Sequence, residues 1–292
     1  MLPVKSLLRC KSVCKSWYSL IAKPSFIFAH LNCSAALQRN HYILIKRFLK
    51  ESNKSIMSVL SEEISGDDHV PVTEITIPHS NHFLQMLGPC NGLVCLTDHR
   101  DIILCNPSTR DFKVLPTPSL NYPQGLLSDT IGVGFGFDPL SSEYKVIRTV
   151  ELYVDEESGG YYGFHSVNVK IYELSTDSWR EIYAVMPYVW YFPRSEHLFN
   201  GAFHWWEDNE DHGGESMLSF HITMEVFQRI RFLDVCAFPD GNERDFLVLN
   251  ESIALLLFNP SMHRSFDAWL MTEYSVSESW TILFTIGLLV QV

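Results

Sequence analysis

Residues 106–113 read Asn106-Pro107-Ser108-Thr109-Arg110-Asp111-Phe112-Lys113, a turn-forming sequence that follows a short apolar run. An Asn or Asp side chain can close such a turn, and Pro fixes the backbone beside it. The pattern recurs in five further copies, of which the third is degenerate: 138–145, 173–180, 221–227, 259–266 and 274–280. Each copy predicts a hairpin whose second strand begins with an aromatic side chain that packs inward.

The spacing of these aromatic residues indicates the fold class. Phe112, Tyr144, Trp179, Phe227 and Phe266 lie 32, 35, 48 and 39 residues apart. Periods of about 40–50 residues are typical of propeller blades. From about residue 41, short apolar or alternating runs are separated by Asn, Asp, Pro, Gly and Ser clusters. This pattern favours a closed or sandwiched all-β fold, with ordinary hairpins of another large β protein as the alternative.

Charge divides the chain into two parts. The first 50 residues carry nine Lys and Arg and no acidic residue, whereas the other 242 carry all 34 Asp and Glu against 13 Lys and Arg. The first part is therefore near +9 and the second near −21. Such asymmetry predicts two modules with different partners, the first acidic and the second basic. An acidic body of this kind also disfavours nucleic acid as a partner.

The basic part has a helical pattern. From Val4 to Ile21 the apolar residues recur at steps of three and four, with Pro3 at a position that suits a first helical turn. We expect a break between two short helices near Val13, and we expect Pro24 to end the helical pattern. So small a segment cannot bury its apolar side chains alone, and it must pack on the β body or on a partner. A membrane-surface or calmodulin-binding helix is a third interpretation.

The composition favours an intracellular location. The N-terminal apolar residues alternate with Lys and Arg, unlike a signal peptide. The last apolar run, 281–292, has 12 residues, whereas a membrane span needs about 20. Seven cysteines without disulfide-type spacing indicate free thiols in a reducing compartment. We therefore expect no membrane partner, and a location in the cytoplasm with the nucleus as a second site.

The N-terminal run resembles the second half of a plant F-box, with Cys10 in place of the usual Phe. It reads Leu2-Pro3-Val4-Lys5-Ser6-Leu7-Leu8-Arg9-Cys10-Lys11-Ser12-Val13-Cys14-Lys15-Ser16-Trp17-Tyr18-Ser19-Leu20-Ile21. The resemblance implies docking on an acidic Skp-family adaptor that connects to a cullin. The residues that would bind the adaptor are Leu2, Pro3, Val4, Leu7, Leu8, Val13, Cys14, Trp17, Leu20 and Ile21. The family begins its F-box with a further helix upstream, so we expect this shortened motif to bind weakly.

Several later segments are similar to a plant F-box-associated (type 1) domain, and are most similar to S-locus F-box proteins. They are 88–95, 104–110, 132–138, 144–146, 172–180, 269–274, 278–280 and 284–286. The resemblance implies a mainly β protein in which partial F-box helices, 1–38, precede a β-propeller-like, kelch-like domain, 39–292. It also implies a C-terminal end that is short for the family. We expect such a body to leave sheet edges open and to be poorly soluble.

The resemblance implies the substrate-recognition subunit of a Skp-cullin-F-box ubiquitin ligase, which recognises non-self S-ribonucleases in pollen self-incompatibility. Such a subunit is an adaptor rather than an enzyme, so we expect no catalytic residues, cofactor or metal. The glycines of 132–136 lack the spacing of a phosphate-binding loop and indicate a closely packed strand. His204 is interpreted as a half-buried strand residue. A truncated non-functional paralogue, and a propeller that binds a small ligand or acts as an enzyme, are the alternatives.

Two acidic stretches are candidates for substrate docking. The residues are Asp155, Glu156, Glu157, Glu207, Asp208, Glu210 and Asp211. Each stretch precedes glycines, which predicts a loop between strands. We interpret them as a docking rim for a basic protein such as an S-ribonuclease, with a merely solvated face as the alternative.

Overall fold

The computed structural model describes most of the chain. The described residues are 2–36, 42–61, 73–78, 84–98, 100–118, 126–155, 161–182, 197–207, 216–232, 244–249, 251–259 and 265–287. The helices come first in the chain: α1 (Val4–Lys11), α2 (Lys15–Ile21) and α3 (Pro24–Ala36). Pro24 begins α3, which differs from the expectation that it ends the helical pattern. Proline suits the first turn of a helix because its missing N–H has no intrahelical acceptor there.

The strands form five antiparallel sheets, and in each one the strands pair in chain order. The first sheet contains β1 (Tyr42–Leu49), β2 (Lys54–Ser61) and β3 (Thr73–Thr76). The second contains β4 (Gln85–Cys90), β5 (Leu93–Thr97), β6 (Ile102–Asn106) and β7 (Asp111–Val114).

The remaining three sheets are also four-stranded. The third contains β8 (Leu127–Asp138), β9 (Glu143–Asp155), β10 (Tyr161–Glu173) and β11 (Ser178–Ile182). The fourth contains β12 (His197–Phe199), β13 (Ala202–Glu207), β14 (Ser216–His221) and β15 (Val226–Arg231). The fifth contains β16 (Arg244–Leu249), β17 (Ser252–Asn259), β18 (Ser265–Met271) and β19 (Trp280–Gly287). The predicted fold class, mainly β after a small helical module, is confirmed.

The chain divides into two compact units. The first, Met1–Leu115, holds the helices and the first two sheets, and the second, Pro116–Val292, holds the other three. In the first unit Met57 of β2 packs with Val94 and Leu96 of β5. Because these side chains come from neighbouring sheets, the core lies between the sheets. The predicted domain boundary at residue 38 stays a prediction.

The described residues of the second unit form two such cores. Ile147 and Ile171 of the third sheet pack with Trp205 and Phe220 of the fourth, and all four are nearly inaccessible to solvent. A further group of buried side chains joins the fourth sheet to the fifth: Met217, Ile230, Phe246, Ile253, Leu255, Leu257, Met271 and Trp280. Each sheet in this unit is therefore held to the next by apolar burial.

The repeated sequence forms the predicted hairpin turns. Asn106 Oδ1 accepts hydrogen bonds from the backbone N–H groups of Ser108 at 3.0 Å and Thr109 at 3.2 Å. Asp138 Oδ1 accepts one from Leu140 at 3.0 Å in the same way. The fifth residue of four copies has a left-handed backbone, with φ values of 62°, 55°, 51° and 56° at Arg110, Ser142, Asp177 and Glu225. In the copy at 259–266, residues 260–264 lie outside the described part of the chain.

The aromatic residues of the first five copies, Phe112, Tyr144, Trp179, Phe227 and Phe266, are half-buried, whereas Trp280 of the sixth copy is buried. Phe112 lies against the core of the first unit, and Phe227 lies against that of the third and fourth sheets. Trp179 packs on Tyr172, with ring centroids 5.4 Å apart, and its Nε1–H donates to the carbonyl oxygen of Pro116 at 2.6 Å. These rings cover the edges of the cores.

The glycine-rich segment lies within β8, as predicted. A Cβ at Gly134 would lie 2.6 Å from Ile147 Cγ2 and 2.8 Å from Phe203 Cγ. A Cβ at Gly136 would lie 2.6 Å from Leu198 Cδ2. The glycines therefore permit the fourth sheet to approach the backbone of the third, which is a packing role.

Candidate functional site

The first two helices are fixed by local hydrogen bonds. The carbonyl oxygen of Pro3 accepts from the N–H groups of Ser6 at 2.9 Å and Leu7 at 3.1 Å, which starts α1. The hydroxyl of Ser12 donates to the carbonyl oxygen of Arg9 at 2.7 Å and helps to end that helix. Cys14 caps α2, because its Sγ accepts from the N–H of Trp17 at 3.5 Å. The predicted break near Val13 is therefore confirmed.

The third helix connects the module to the sheets of its own unit. His30 Nε2 lies 3.0 Å from the carbonyl oxygen of Leu2, which ties α3 to the start of the chain. A Cβ at Gly92 would lie 3.8 Å from Leu31 Cδ2, so α3 contacts the turn between β4 and β5. α3 therefore contacts both the start of the chain and the second sheet.

Apolar side chains of the module are exposed to an unusual degree. Leu2, Leu8, Val13, Trp17, Tyr18, Leu20 and Ile27 are each at least 36% exposed. We call these seven residues the helical apolar surface. Val13 is 66% exposed and Trp17 is 48% exposed. Large exposed apolar patches commonly mark interaction sites in soluble proteins.

The residues predicted to bind the adaptor fall into three groups. Pro3 and Cys14 are exposed along with Leu2, Leu8, Val13, Trp17 and Leu20. Val4 and Leu7 are half-buried, and Ile21 is buried at 9% exposure. Tyr18 and Ile27 belong to the exposed surface but were missed. Tyr18 directly follows Trp17, and Ile27 lies in α3, beyond the Pro24 at which the sequence predicts the helical pattern to end.

The helical apolar surface has a basic border. Lys5, Arg9, Lys11, Lys15 and Lys23 lie in or beside α1 and α2, and residues 1–50 contain no acidic side chain. Lys11 Nζ lies 5.7 Å from the ring centroid of Tyr18, within range of a cation–π contact. Arg9 and Lys11 also lie in the last turn of α1, where positive charge stabilises a helix. A partner with apolar pockets and an acidic border would complement this surface.

Possible reactive side chains of the body have structural partners. His204 is 1% exposed, more buried than predicted, and its Nε2 lies 3.0 Å from Tyr274 Oη. Burial, and then the charge of Asp111, raises the pKa of Cys105 to about 12, so this thiol stays protonated at neutral pH. Among the described residues, no group of three or more His, Cys, Asp or Glu could hold a metal ion. None of the described helices is long and apolar enough to cross a membrane.

The predicted substrate-docking residues lie at or beyond the described strands. Asp155 ends β9 and Glu207 ends β13. The other five, Glu156, Glu157, Asp208, Glu210 and Asp211, lie outside the described residues. These assignments therefore stay predictions.

Comparison with known families agrees with this division into helices and sheets. Residues 1–29 match the F-box domain, and residues 45–292 match the F-box associated beta propeller domain. A helical F-box joined to such a β body defines a class of adaptor proteins.

Curated relatives come from the same class. F-box protein CPR1 of Arabidopsis thaliana is 30% identical over an alignment 305 residues long, and this alignment covers 98% of this chain and 70% of that protein. F-box protein At3g07870 of Arabidopsis thaliana is 28% identical, with the same coverage. This chain therefore belongs to the plant F-box proteins that carry an F-box associated domain. Members of this class recognise substrates for Skp-cullin-F-box ubiquitin ligases, and this is the role of the chain.

Solved structures resemble this chain only weakly. A family 117 glycoside hydrolase of Zobellia galactanivorans aligns with 85% of this chain and 75% of its own, at 10% identity and a TM-score of 0.38. A likeness at this level carries no argument about activity.

Proposed function

We propose that the helical apolar surface docks on a Skp-family adaptor and that the β body captures a basic protein for ubiquitination. The observation that carries the first half is the exposure of Trp17, Leu20 and Val13, at 48%, 53% and 66%, on helices that the F-box match covers. Desolvation of such side chains contributes about 1.5–3 kcal/mol each when burial is complete. Aromatic residues among them commonly dominate binding energy.

Charge supports both halves of the proposal. The module is near +9 and the rest of the chain near −21, so the two parts attract partners of opposite sign. Charge of this kind mainly accelerates encounter and rejects wrong partners. Its reach is about 8 Å at physiological salt, so it acts on partners that are already close.

The acidic body supports a basic target, and the sequence resemblance to S-locus F-box proteins is the reason for proposing an S-ribonuclease. S-ribonucleases tend to be basic, and a pollen protein of this class would meet them in the cytoplasm. We therefore propose a non-self S-ribonuclease as the target, bound at the stretches that contain Asp155 and Glu207.

The adaptor half is tested with a purified Skp-family adaptor and the full chain. Trp17→Ala should weaken adaptor binding by about 2 kcal/mol, or about thirtyfold in Kd, by calorimetry. The matched control is Tyr42→Ala, because Tyr42 is 52% exposed on β1, outside the helices. Equal effects of the two substitutions, or no adaptor binding by the native chain, would contradict this half.

The target half is tested by charge reversal. Glu156→Lys with Glu157→Lys should slow association of a basic S-ribonuclease and flatten its salt dependence, as measured by surface plasmon resonance. Glu51→Lys with Glu278→Lys changes the net charge equally at exposed positions elsewhere in the sequence. If both pairs act alike, general charge rather than a docking rim explains the attraction. If the native chain does not bind S-ribonuclease, that target is wrong.

A further inference from the structure

Two turns of the second unit meet around one carboxylate. They are the turn between β8 and β9 and the turn between β14 and β15. Asp138 Oδ1 accepts from the N–H of Leu140 at 3.0 Å in its own turn, and from the hydroxyl of Thr223 at 2.7 Å in the other. The shared acceptor brings the two turns side by side, although they are about 85 residues apart in the chain.

A buried cation strengthens this junction. Lys145 Nζ donates to Asp138 Oδ2 at 2.8 Å, to Glu225 Oε1 at 3.1 Å and to the carbonyl oxygen of Ile222 at 3.3 Å. The side chains of Lys145 and Asp138 are only 7% and 3% exposed. Removing either partner would leave a buried charge, so the geometry of the junction is strongly fixed.

A second cation extends the junction toward β11. The guanidinium of Arg180 binds both carboxylate oxygens of Glu225, with Nη1 2.8 Å from Oε2. Its Nε also donates to Glu173 Oε1 at 3.0 Å. Burial alone would raise the pKa of Glu225, but hydrogen bonds from Arg180 and Lys145 lower it below its usual range. The carboxylate therefore stays ionised at neutral pH.

The tips of the two turns carry exposed apolar side chains. Leu140 is 82% exposed and Met224 is 63% exposed. Leu140 has the largest exposed fraction among the described large apolar side chains. Each lies within two residues of Asp138 or Thr223, the pair that joins the turns. Two apolar side chains thus project from a rigid base, whereas single exposed apolar residues are common and need no explanation.

The surroundings of these tips are anionic. The ion-paired network at these turns contains three carboxylates, Asp138, Glu173 and Glu225, and two cations, Lys145 and Arg180. Its net charge is −1 when all groups are ionised, and it lies in a part of the chain, after residue 50, that carries 34 acidic residues against 13 basic ones. The complement of such a surface is an apolar side chain flanked by Lys or Arg.

We infer that Leu140 and Met224 form a docking surface for a segment of the target protein in which an apolar residue is flanked by basic residues. We call these two residues the twin-turn surface. The inference rests on the proposed function, because it gives the target a place on the β body. Rigidity favours binding, since a prearranged surface loses little conformational entropy when a partner docks.

The test is a selection of short random peptides displayed on phage against the full chain. We expect enriched peptides to combine a large apolar residue with neighbouring Lys or Arg. Leu140→Ser with Met224→Ser should weaken their binding by about tenfold or more, or about 1.4 kcal/mol, by fluorescence anisotropy. The matched control is Leu127→Ser, because Leu127 is 43% exposed at the other end of β8.

Each result decides the inference. Enrichment without basic residues, no enrichment, or equal loss in the control would overturn it. Self-association that the double substitution abolishes, seen by sedimentation, would assign the surface to a second copy instead. The double variant should still bind the Skp-family adaptor as the native chain does. Loss of adaptor binding by the native chain would count against the proposed function, whereas failed peptide selection with intact adaptor binding overturns only this inference.

Discussion

The helices and the sheets of this chain use apolar residues in opposite ways. In the helical module Ile21 is the one buried side chain among residues 2–34, and seven large apolar side chains are exposed. In the fourth sheet Trp205, Phe203 and Phe220 are at most 1% exposed. Two segments with comparable apolar content therefore differ in whether folding buries it. The sheets are stabilised by their own side chains, whereas the helices leave most of theirs exposed.

The strongest test of this contrast between helices and sheets is to replace one tryptophan in each region by alanine. Trp205→Ala removes a ring that is inaccessible to solvent and packs with Phe203 and Phe227. We expect a loss of about 3–5 kcal/mol in the free energy of unfolding, measured by urea titration. The whole stability of a typical domain is about 5–15 kcal/mol, so the variant is close to unfolding.

Trp17→Ala is the matched substitution in the helices. Trp17 is 48% exposed, so its loss should change the free energy of unfolding by no more than about 0.5 kcal/mol. If the two substitutions lower the free energy of unfolding equally, the helical side chains contribute to the core of their unit, and the contrast between the two regions is wrong.

The charged junction of the third and fourth sheets sharpens the comparison, because here burial includes ions. Lys145→Met leaves Asp138 and Glu225 without their common cation, and we expect a loss of about 3 kcal/mol at pH 7. Lys54→Met is the control, because Lys54 is exposed at the start of β2. Equal losses would show that the junction contributes nothing specific.

The same junction predicts how stability depends on pH. Burial would raise the pKa of Asp138, but hydrogen bonds from Lys145, Thr223 and Ser141 lower it well below its usual range. Its stabilising effect is therefore present above the unfolded pKa of about 3.9 and is lost as the pH falls through the folded pKa. Lys145 behaves oppositely. Burial would lower its pKa, but hydrogen bonds to Asp138 and Glu225 raise it, so its effect is lost at alkaline pH.

Unfolding measured from about pH 5 downward should show a steeper loss for the native chain than for Lys145→Met. The reason is that the substitution removes the cation that lowers the pKa of Asp138. Identical acid titrations of the two proteins would contradict this account of the junction.

The sequence predicted the parts of the structure that depend on local chemistry. The turns at Asn106 and Asp138 could be predicted because the side chain that closes each turn lies two or three residues from its donors. The junction around Lys145 could not, because its acceptor Glu225 is 80 residues away and only the pairing of two sheets brings them together.

The helical site shows the same limit. The apolar spacing of the first 21 residues predicted the helices, but the spacing does not distinguish a side that packs from a side that is exposed. Ile21 and Leu20 are neighbours of similar hydrophobicity, yet they are 9% and 53% exposed. Burial depends on contacts with other elements, which local spacing does not specify, and Ile27 lies in a helix that Pro24 begins rather than ends.

The smallest expected effect concerns β19. This strand leaves most of its side chains exposed, as the helices do, so the contrast between helices and sheets is weakest here. Trp280 is buried, but residues 281–287 are exposed on both faces, and within the described chain β19 pairs only with β18. An exposed apolar edge strand favours association with other chains. Phe284→Lys should therefore raise the concentration at which the protein aggregates, measured by light scattering, while the free energy of unfolding changes by about 0.5 kcal/mol or less.

Thr281→Lys separates charge from apolar exposure in that experiment, because it adds the same charge at an exposed polar position of β19. If both lysines suppress aggregation equally, charge repulsion alone explains the gain, and the apolar side chains of β19 are of no consequence. If only Phe284→Lys acts, exposed apolar residues have a measurable cost in the sheets. The helical apolar surface should then carry a similar cost until an adaptor covers it. Adding the Skp-family adaptor should consequently reduce aggregation of the Phe284→Lys variant further, and it should not do so once Trp17 is also replaced by alanine.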